Sequence, residues 1–537
     1  GIDLALLVVA ADEGVMPQTR EHLAILQLLG VRRGVIALTK RDLVDDEWLA
    51  LVEDEVRSAS AQALPGAAIV ATSATTGEGI DALRAELARL AGSLVPRDDS
   101  DLFRLPIDRA FTIKGTGTVV TGTVWSGRLS RDETVRILPG NKTARVRGVQ
   151  GHGAQLERAL PGSRSAIALA GVDVEDVPRG STLVCDADWH ATQHARADVT
   201  LVPDADIELR PRAWLRVHVG TSEVGARIVT RAASGGTFAA RIIFDQAVVL
   251  RAGDRFVVRT SAPLNTIAGG VITDPYALKR AKLWPVGLGV ADRLARLVSE
   301  AGGQGVPFAS IPVRAGVSPV AARALVAEPA VGAELVAGKL VVSRELLQAL
   351  DAAAQAAVAE YQRMHPLEGG APAQVLRTGL AAAPDIADWV IQQGLASGRL
   401  KSTSGLIHEP NWSPTLSGSN ELLAGRVLSE LDSAAIEPPS VQELSGTIGE
   451  DVTAILRYLE RQGEVVQVEA ERYYRVQHLK SLIDRLRAAM AGGVEASPSE
   501  IREALGVSRK YLVPLLEYCD RVGYTNRHAN GRVWVGT

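Results

Sequence analysis

Short aliphatic runs alternate with helix-length stretches through the opening of this chain, and that alternation restricts the first domain to one architecture. Leu4 to Val9, Gly34 to Thr39 and Ala68 to Ala71 read as strands, while Thr19 to Leu29 and Asp81 to Leu90 read as helices. Strands joined through helices run parallel, so the segment predicts an α/β domain with helices on the faces of a parallel sheet. The first apolar run, Leu4 to Ala11, follows Gly1 with no cap or turn, which predicts that the chain opens part-way through a domain. A length of 537 residues exceeds what one hydrophobic core organises, so further domains are expected.

The period changes after the Pro, Arg and Asp stretch from Val95 to Asp101. From there to about Pro275 the chain is rich in Val, Thr and Gly in strand-length runs, which predicts two β-barrels. Beyond Pro275, Ala- and Leu-rich helices alternate with short strand pairs in a unit of about sixty residues that recurs roughly four times. In one copy, Ser440 and Glu443 form a capping box, a helix runs from Glu450 to Gln462, and strands follow at Glu464 to Val468 and Arg472 to Val476. Helix, helix, hairpin is winged-helix order. In the last copy, Leu479, Leu482, Ile483 and Leu486 mark one helical face and Ser499 to Leu505 a short helix. Ser508 can cap a third helix with Leu512, Leu515, Leu516 and Cys519 on its apolar face, and Pro514 inside it is expected to kink it. Tyr524 to Arg527 and Arg532 to Val535 can pair across an Asn530-Gly531 turn as the wing. The expected divisions are 1–95 for the α/β domain, 100–190 and 191–276 for the barrels, and 285–350, 351–415, 416–477 and 478–537 for four winged helices.

Composition narrows the function. Hydrophobic residues at 46% with 22% charged residues are ordinary for globular domains, and no run is long enough to span a bilayer. A formal charge of -4 excludes a chain that coats nucleic acid with its whole surface, so any RNA site is local. Cys185 and Cys519 are far apart and have no metal-ligand spacing. They read as core residues of a cytoplasmic protein.

Thr39-Lys40-Arg41-Asp42 ends one aliphatic strand, and Thr72-Ser73-Ala74 ends the next. Both loops open at the carboxyl edge of the sheet, where such folds bind ligands. A carboxylate at Asp42 can accept from the ring N–H and the exocyclic amine of guanine, the stem of Lys40 can cover the ring face, and the N–H of Ala74 can donate to the guanine carbonyl. An isolated Lys-x-Asp is ordinarily a solvated surface pair. Strand placement and the second loop make this one a guanine reader, with Thr39, Lys40, Asp42, Ser73 and Ala74 as candidate residues.

These loops resemble the guanine-specificity loops of translational GTPases, and the segment Ala11-Asp12-Glu13-Gly14-Val15-Met16-Pro17-Gln18-Thr19 resembles the one such proteins carry after their switch region. Arg109 to Gly122, reading RAFTIKGTGTVVTG, looks like the opening of their second domain. Thr39 in place of the usual Asn, Val217-His218-Val219-Gly220-Thr221 and Asn265 to Gly270 look like the selenocysteine-specific elongation factors, as do the trailing winged helices. The resemblance implies GTP or GDP as ligand, with Mg2+ only in a complete nucleotide domain, and selenocysteinyl-tRNA, a selenocysteine-insertion mRNA hairpin and the ribosome as partners of a monomer without membrane contact. The chain departs from that family in one respect. No Gly-x-x-x-x-Gly-Lys-Ser/Thr, no Asp-x-x-Gly switch and no counterpart of the family's catalytic histidine occurs, so residues 1–537 are expected neither to hold GTP firmly nor to hydrolyse it, and no catalytic or metal residue is assigned.

The resemblance also places an aminoacyl pocket on the barrels. Selenocysteine differs from serine chiefly in its ionised selenol, so cations suit such a pocket, and Arg147, His152 and Arg164 lie nearest the equivalent loop. For RNA, Arg509 and Lys510 stand at the start of the last recognition helix, and Arg527, His528 and Arg532 decorate its wing. Loops and bulges with splayed bases are the usual targets of base reading in RNA, which favours a hairpin. Glu469 and Glu471 in the preceding wing predict a spacer there. Two rival readings are a tRNA-carrying initiation factor with an unrelated tail and a winged-helix DNA-binding regulator. The second requires dimer symmetry and a more basic recognition helix.

Overall fold

The computed structural model describes residues 2–95, 97–202, 213–230, 236–261, 265–416, 418–491 and 495–536. They form two compact units, residues 1–346 and 347–537.

In the first unit, β1 (Ala5–Ala10), β2 (Gly34–Thr39) and β3 (Ala68–Ala71) make a parallel sheet in that order, with Ala10 paired to Thr39 and Leu38 to Ala71. Helices α1 (Pro17–Leu28) and α2 (Asp46–Ser60) supply the two crossovers, and α3 (Ile80–Gly92) follows β3. The core of this domain joins Leu7, Val9, Ile36 and Leu38 from the strands to Leu23, Val52 and Val56 from α1 and α2. Because β2 and β3 are parallel and adjacent, the loops after Thr39 and Ala71 leave the same edge of the sheet.

Two six-stranded barrels follow. The first closes where Arg164–Ala170 pairs with both Gly117–Thr123 and Lys142–Gly151. The second is a closed barrel running from Ala191–Leu201 to Thr266–Asp274. Strict alternation puts every second residue inward. Along Thr237–Val249, for example, Phe238, Ala240, Ile242 and Phe244 are buried in the barrel core. Buried ion pairs join the domains. Arg104 makes a two-pronged contact with Asp254 at 2.6 Å, between the indoles of Trp125 and Trp189. Arg251 pairs with Asp101 at 2.7 Å, and Glu21 of α1 accepts from Arg259 and Thr266 of the second barrel at 2.9 and 3.0 Å.

A first winged helix closes this unit. Its helix Val290–Ala301 and strands Ala333–Val336 and Leu340–Ser343 pack on Leu294, Leu297, Val306 and Val341. Arg196 of the barrel bonds Asp274 of its own barrel at 3.0 Å and reaches the winged helix through Glu300 at 2.6 Å, with its guanidinium stacked on Trp284.

The second unit holds three more winged-helix modules, each with three helices ahead of its hairpin. Helix Arg344–Met364 follows strand Leu340–Ser343 directly, and Val476–Ala489 follows Arg472–Arg475 in the same way. The expected divisions at 350 and 477 therefore fall inside helices, because a wing strand that runs straight into a helix carries no Gly or Pro punctuation. The last helix, Arg509–Val522, continues through Pro514, which has no N–H to give the carbonyl of Lys510. Cys519 is wholly buried in its core, and burial pushes the thiols of Cys185 and Cys519 up to about 12. Among the described residues no helix is long and apolar enough to cross a membrane, and no group of His, Cys, Asp and Glu is arranged to hold a metal ion.

Candidate functional sites

At the sheet edge, Lys40 adopts a left-handed conformation, φ 59°, which a non-glycine residue takes only at a cost of about 1 kcal/mol or more. Its ammonium is held by Asp12 at 2.9 Å and Glu13 at 3.2 Å, and these hydrogen bonds, Asp12 first, raise its pKa. The N–H of Arg41 donates to the carbonyl of Thr72 at 3.1 Å and fastens the two loops together. The Ser73 hydroxyl accepts from Thr75 and Thr76 N–H groups at 3.2 and 3.1 Å, and Ser73 is itself buried. Gly79 is required there, since a Cβ would lie 1.9 Å from the carbonyl oxygen of Ala71. The Thr39 hydroxyl donates to Val9 at 3.4 Å. Thr39 and Ser73 thus shape the loops, while Lys40, Asp42 and Ala74 present their groups.

The Asp42 carboxylate is exposed, and neither it nor the N–H of Ala74 has a hydrogen-bond partner among the described residues. A free double acceptor and a free donor, on loops held together, complement a guanine edge. Asp12 and Glu13 were not assigned a role from the sequence. Their signal is register: Ala10 pairs with Thr39, so the residues just beyond each strand are neighbours.

On the first barrel, His152 and Gly153 form the two-residue turn between Lys142–Gly151 and Ala154–Leu156, with φ 49° and 79°. His152 and Arg164 line an open recess of about 240 Å³ with Thr121, Gln150 and Ser165. Arg164 donates to Asp108 at 3.1 Å. Against the burial that raises it, this guanidinium and the Thr121 hydroxyl hold the Asp108 carboxyl below the usual carboxylate range. Arg147 is exposed on the adjoining strand and does not line the recess.

In the last winged helix, Ala496 pairs with Arg532 and adds a third strand position to the hairpin. The hairpin register ends at Arg527 and Arg532, as the expected strands indicate, so the wing turn spans His528 to Gly531 and contains Asn530-Gly531. Gly531 also serves close approach: a Cβ there would meet the carbonyl oxygen of Ala496 at 2.2 Å. Ser508 stands at the helix start without a side-chain cap, its N–H donating to Glu437 at 2.6 Å. Arg509, Arg527 and His528 are exposed and have no ion-pair partner among the described residues. Lys510 pairs with Glu443 at 3.4 Å. Arg532 is buried against Asp520 at 2.9 Å and is committed to the fold, which removes it from the free cations of the wing.

Family models match in the same order along the chain. They are Elongation factor Tu GTP binding domain at residues 1–93, Elongation factor Tu domain 2 at 117–184, and Selenocysteine-specific elongation factor, beta-barrel domain at 190–279. Elongation factor SelB, winged helix, matches at 355–408 and again at 490–534. The chain is 32% identical over 559 residues to the selenocysteine-specific elongation factor of Desulfomicrobium baculatum, an alignment covering 99% of this chain and 87% of that one. It belongs to the selenocysteine-specific elongation factor family.

The same protein of Escherichia coli (strain K12) is 32% identical over 550 residues, with 99% and 86% covered. The fold is that of a bacterial selenocysteine-specific elongation factor crystal structure, at a TM-score of 0.70 and 24% identity over 99% of this chain and 86% of that one. A GTP-binding domain of the Elongation factor Tu type implies a guanine nucleotide, which the free groups of Asp42 and Ala74 fit. These two groups address the base of such a nucleotide.

Proposed function

We propose that this member of the selenocysteine-specific elongation factor family carries selenocysteinyl-tRNA to the ribosome and is stationed at recoded UGA codons by an mRNA hairpin bound to its last winged helix. Joining both RNA ligands to one chain raises the local concentration of the special tRNA where it is needed. Asp42 and Ala74 read guanine, Lys40 covers the ring, and Thr39 and Ser73 hold the loops in shape. When bound, the nucleotide supplies a switch between tRNA-holding and tRNA-releasing states. In the recess on the first barrel, Arg164 offers positive charge and His152 a ring hydrogen-bonding group to an anionic selenolate, with Arg147 outside it.

The observation that carries the reading is the distribution of free cations in the last module. Arg509 at the recognition-helix tip and Arg527 and His528 on the wing are unpaired among the described residues, whereas Arg472 and Arg475 of the preceding module are tied to Glu469 and to Asp432 and Glu464. The full chain is expected to bind a selenocysteine-insertion hairpin more tightly than a scrambled-loop hairpin or duplex DNA in fluorescence anisotropy. Arg509→Ala is expected to weaken the hairpin complex about tenfold or more, the range for losing a charged contact to nucleic acid. Equal, salt-sensitive affinity for all three ligands contradicts the proposal and favours a generic basic module.

A further inference from the structure

We infer that Glu443 and Glu437, two acids of the third winged helix, set the RNA selectivity of the fourth by withholding the tip of its recognition helix from generic phosphate. The inference rests on the function proposed above and extends it to residues outside the RNA-contacting module.

A helix that opens with Arg509-Lys510 would attract any phosphate, because backbone donors and two cations coincide there. Two carboxylates already occupy that end. Glu437 Oε1 accepts from the Ser508 N–H at 2.6 Å, and Glu443 Oε1 lies 3.4 Å from Lys510 Nζ. Glu443 is itself fixed, since its other oxygen accepts from Ser440 N–H at 2.7 Å in a reciprocal capping box. These hydrogen bonds and Lys510 keep its carboxyl below the usual range.

The backbones that carry these groups are held together because the two modules share a core, although the Lys510–Glu443 pair itself lies at the surface. Val468 and Tyr474 of the third pack with Leu479, Leu512 and Leu516 of the fourth. Arg472 stacks on Tyr511 at 4.5 Å, one residue beyond Lys510. An RNA that offers only backbone must therefore approach two fixed negative charges and finds only Arg509 unpaired at this tip. A hairpin whose loop reaches Arg509, Arg527 and His528 together does not need Lys510. Selectivity gained by repelling the wrong ligand costs some affinity for every ligand.

The test uses the full chain, anisotropy across a salt series, and two RNAs: a selenocysteine-insertion hairpin and its scrambled-loop version. Glu443→Gln preserves size and the capping-box role, which glutamine also fills. It is expected to bind the scrambled hairpin about two- to fivefold more tightly, as an exposed ion pair released for a new contact allows. Its salt dependence should steepen by about 0.7–0.9, one added phosphate contact. The hairpin gains less, so the ratio between the two RNAs falls. Adding Lys510→Gln should return the slope to the parental value. An unchanged slope and ratio in Glu443→Gln, with parental discrimination intact, overturns this inference alone. Failure of the parental chain to discriminate the RNAs overturns the proposed function, and this inference with it.

Discussion

Asp254→Ala is expected to destabilise the junction between the two barrels by about 3–5 kcal/mol, the cost of leaving one partner of a buried ion pair alone. Arg104 and Asp254 are 5% and 7% exposed, and both of their contacts are 2.6 Å. Removing the carboxylate strands a guanidinium between Trp125 and Trp189, and also deprives the Arg251 N–H of an acceptor at 2.8 Å. Double replacement, Arg104→Met with Asp254→Ala, is expected to recover much of the loss, since an absent pair costs less than a broken one. Urea titrations followed by tryptophan fluorescence measure both. A single-variant loss below about 1 kcal/mol would place the pair among ordinary surface bridges and contradict a buried latch.

The second large effect is on the nucleotide. Asp42→Asn is expected to lower guanine nucleotide affinity at least about 100-fold, because two hydrogen bonds to a charged acceptor are each worth about 1.5–3 kcal/mol. The same change should raise affinity for xanthine nucleotides, whose ring presents a carbonyl where guanine has its amine and so accepts from the asparagine amide. Competition titrations of GDP, ADP and the xanthine diphosphate read the ratio whatever the absolute affinity. Unchanged preference for GDP over the xanthine diphosphate in the variant means that Asp42 does not face the base.

Short-range signals were the most legible part of this sequence. Strand Ala68–Ala71 has the bounds expected from its aliphatic run, and the Ser440–Glu443 capping box forms as its spacing indicates. The last-module helix at Pro498 starts one residue earlier than expected because Ser497 and Glu500 make a second capping box, with Pro498 at its first position. Helix Thr453–Arg461 starts three residues after Glu450, since the Asp451 side chain accepts from the Thr453 N–H at 2.9 Å and ends the preceding turn. Long-range pairings were not legible. Nothing local to Arg532 indicates Asp520, and nothing local to Lys510 indicates Glu443, which lies 67 positions earlier. The wing shows the same limit: its strands were legible, but the close approach of Gly531 to the Ala496 carbonyl was not. At the sheet edge, residue types pointed to the two loops, but the clamp of Asp12 and Glu13 on Lys40 needed the pairing of β1 with β2.

The proposed function has the chain bind its mRNA hairpin through the last winged helix alone. Hydrogen-exchange mass spectrometry of the full chain with and without the selenocysteine-insertion hairpin tests that claim most directly. Slowed exchange is expected in the first turns of Arg509–Val522 and in the wing from Thr525–Arg527 to Arg532–Trp534, with Lys401–Thr403 and Val465–Glu469 unchanged. Protection at those earlier wings, with the last module exchanging as it does without RNA, would contradict it.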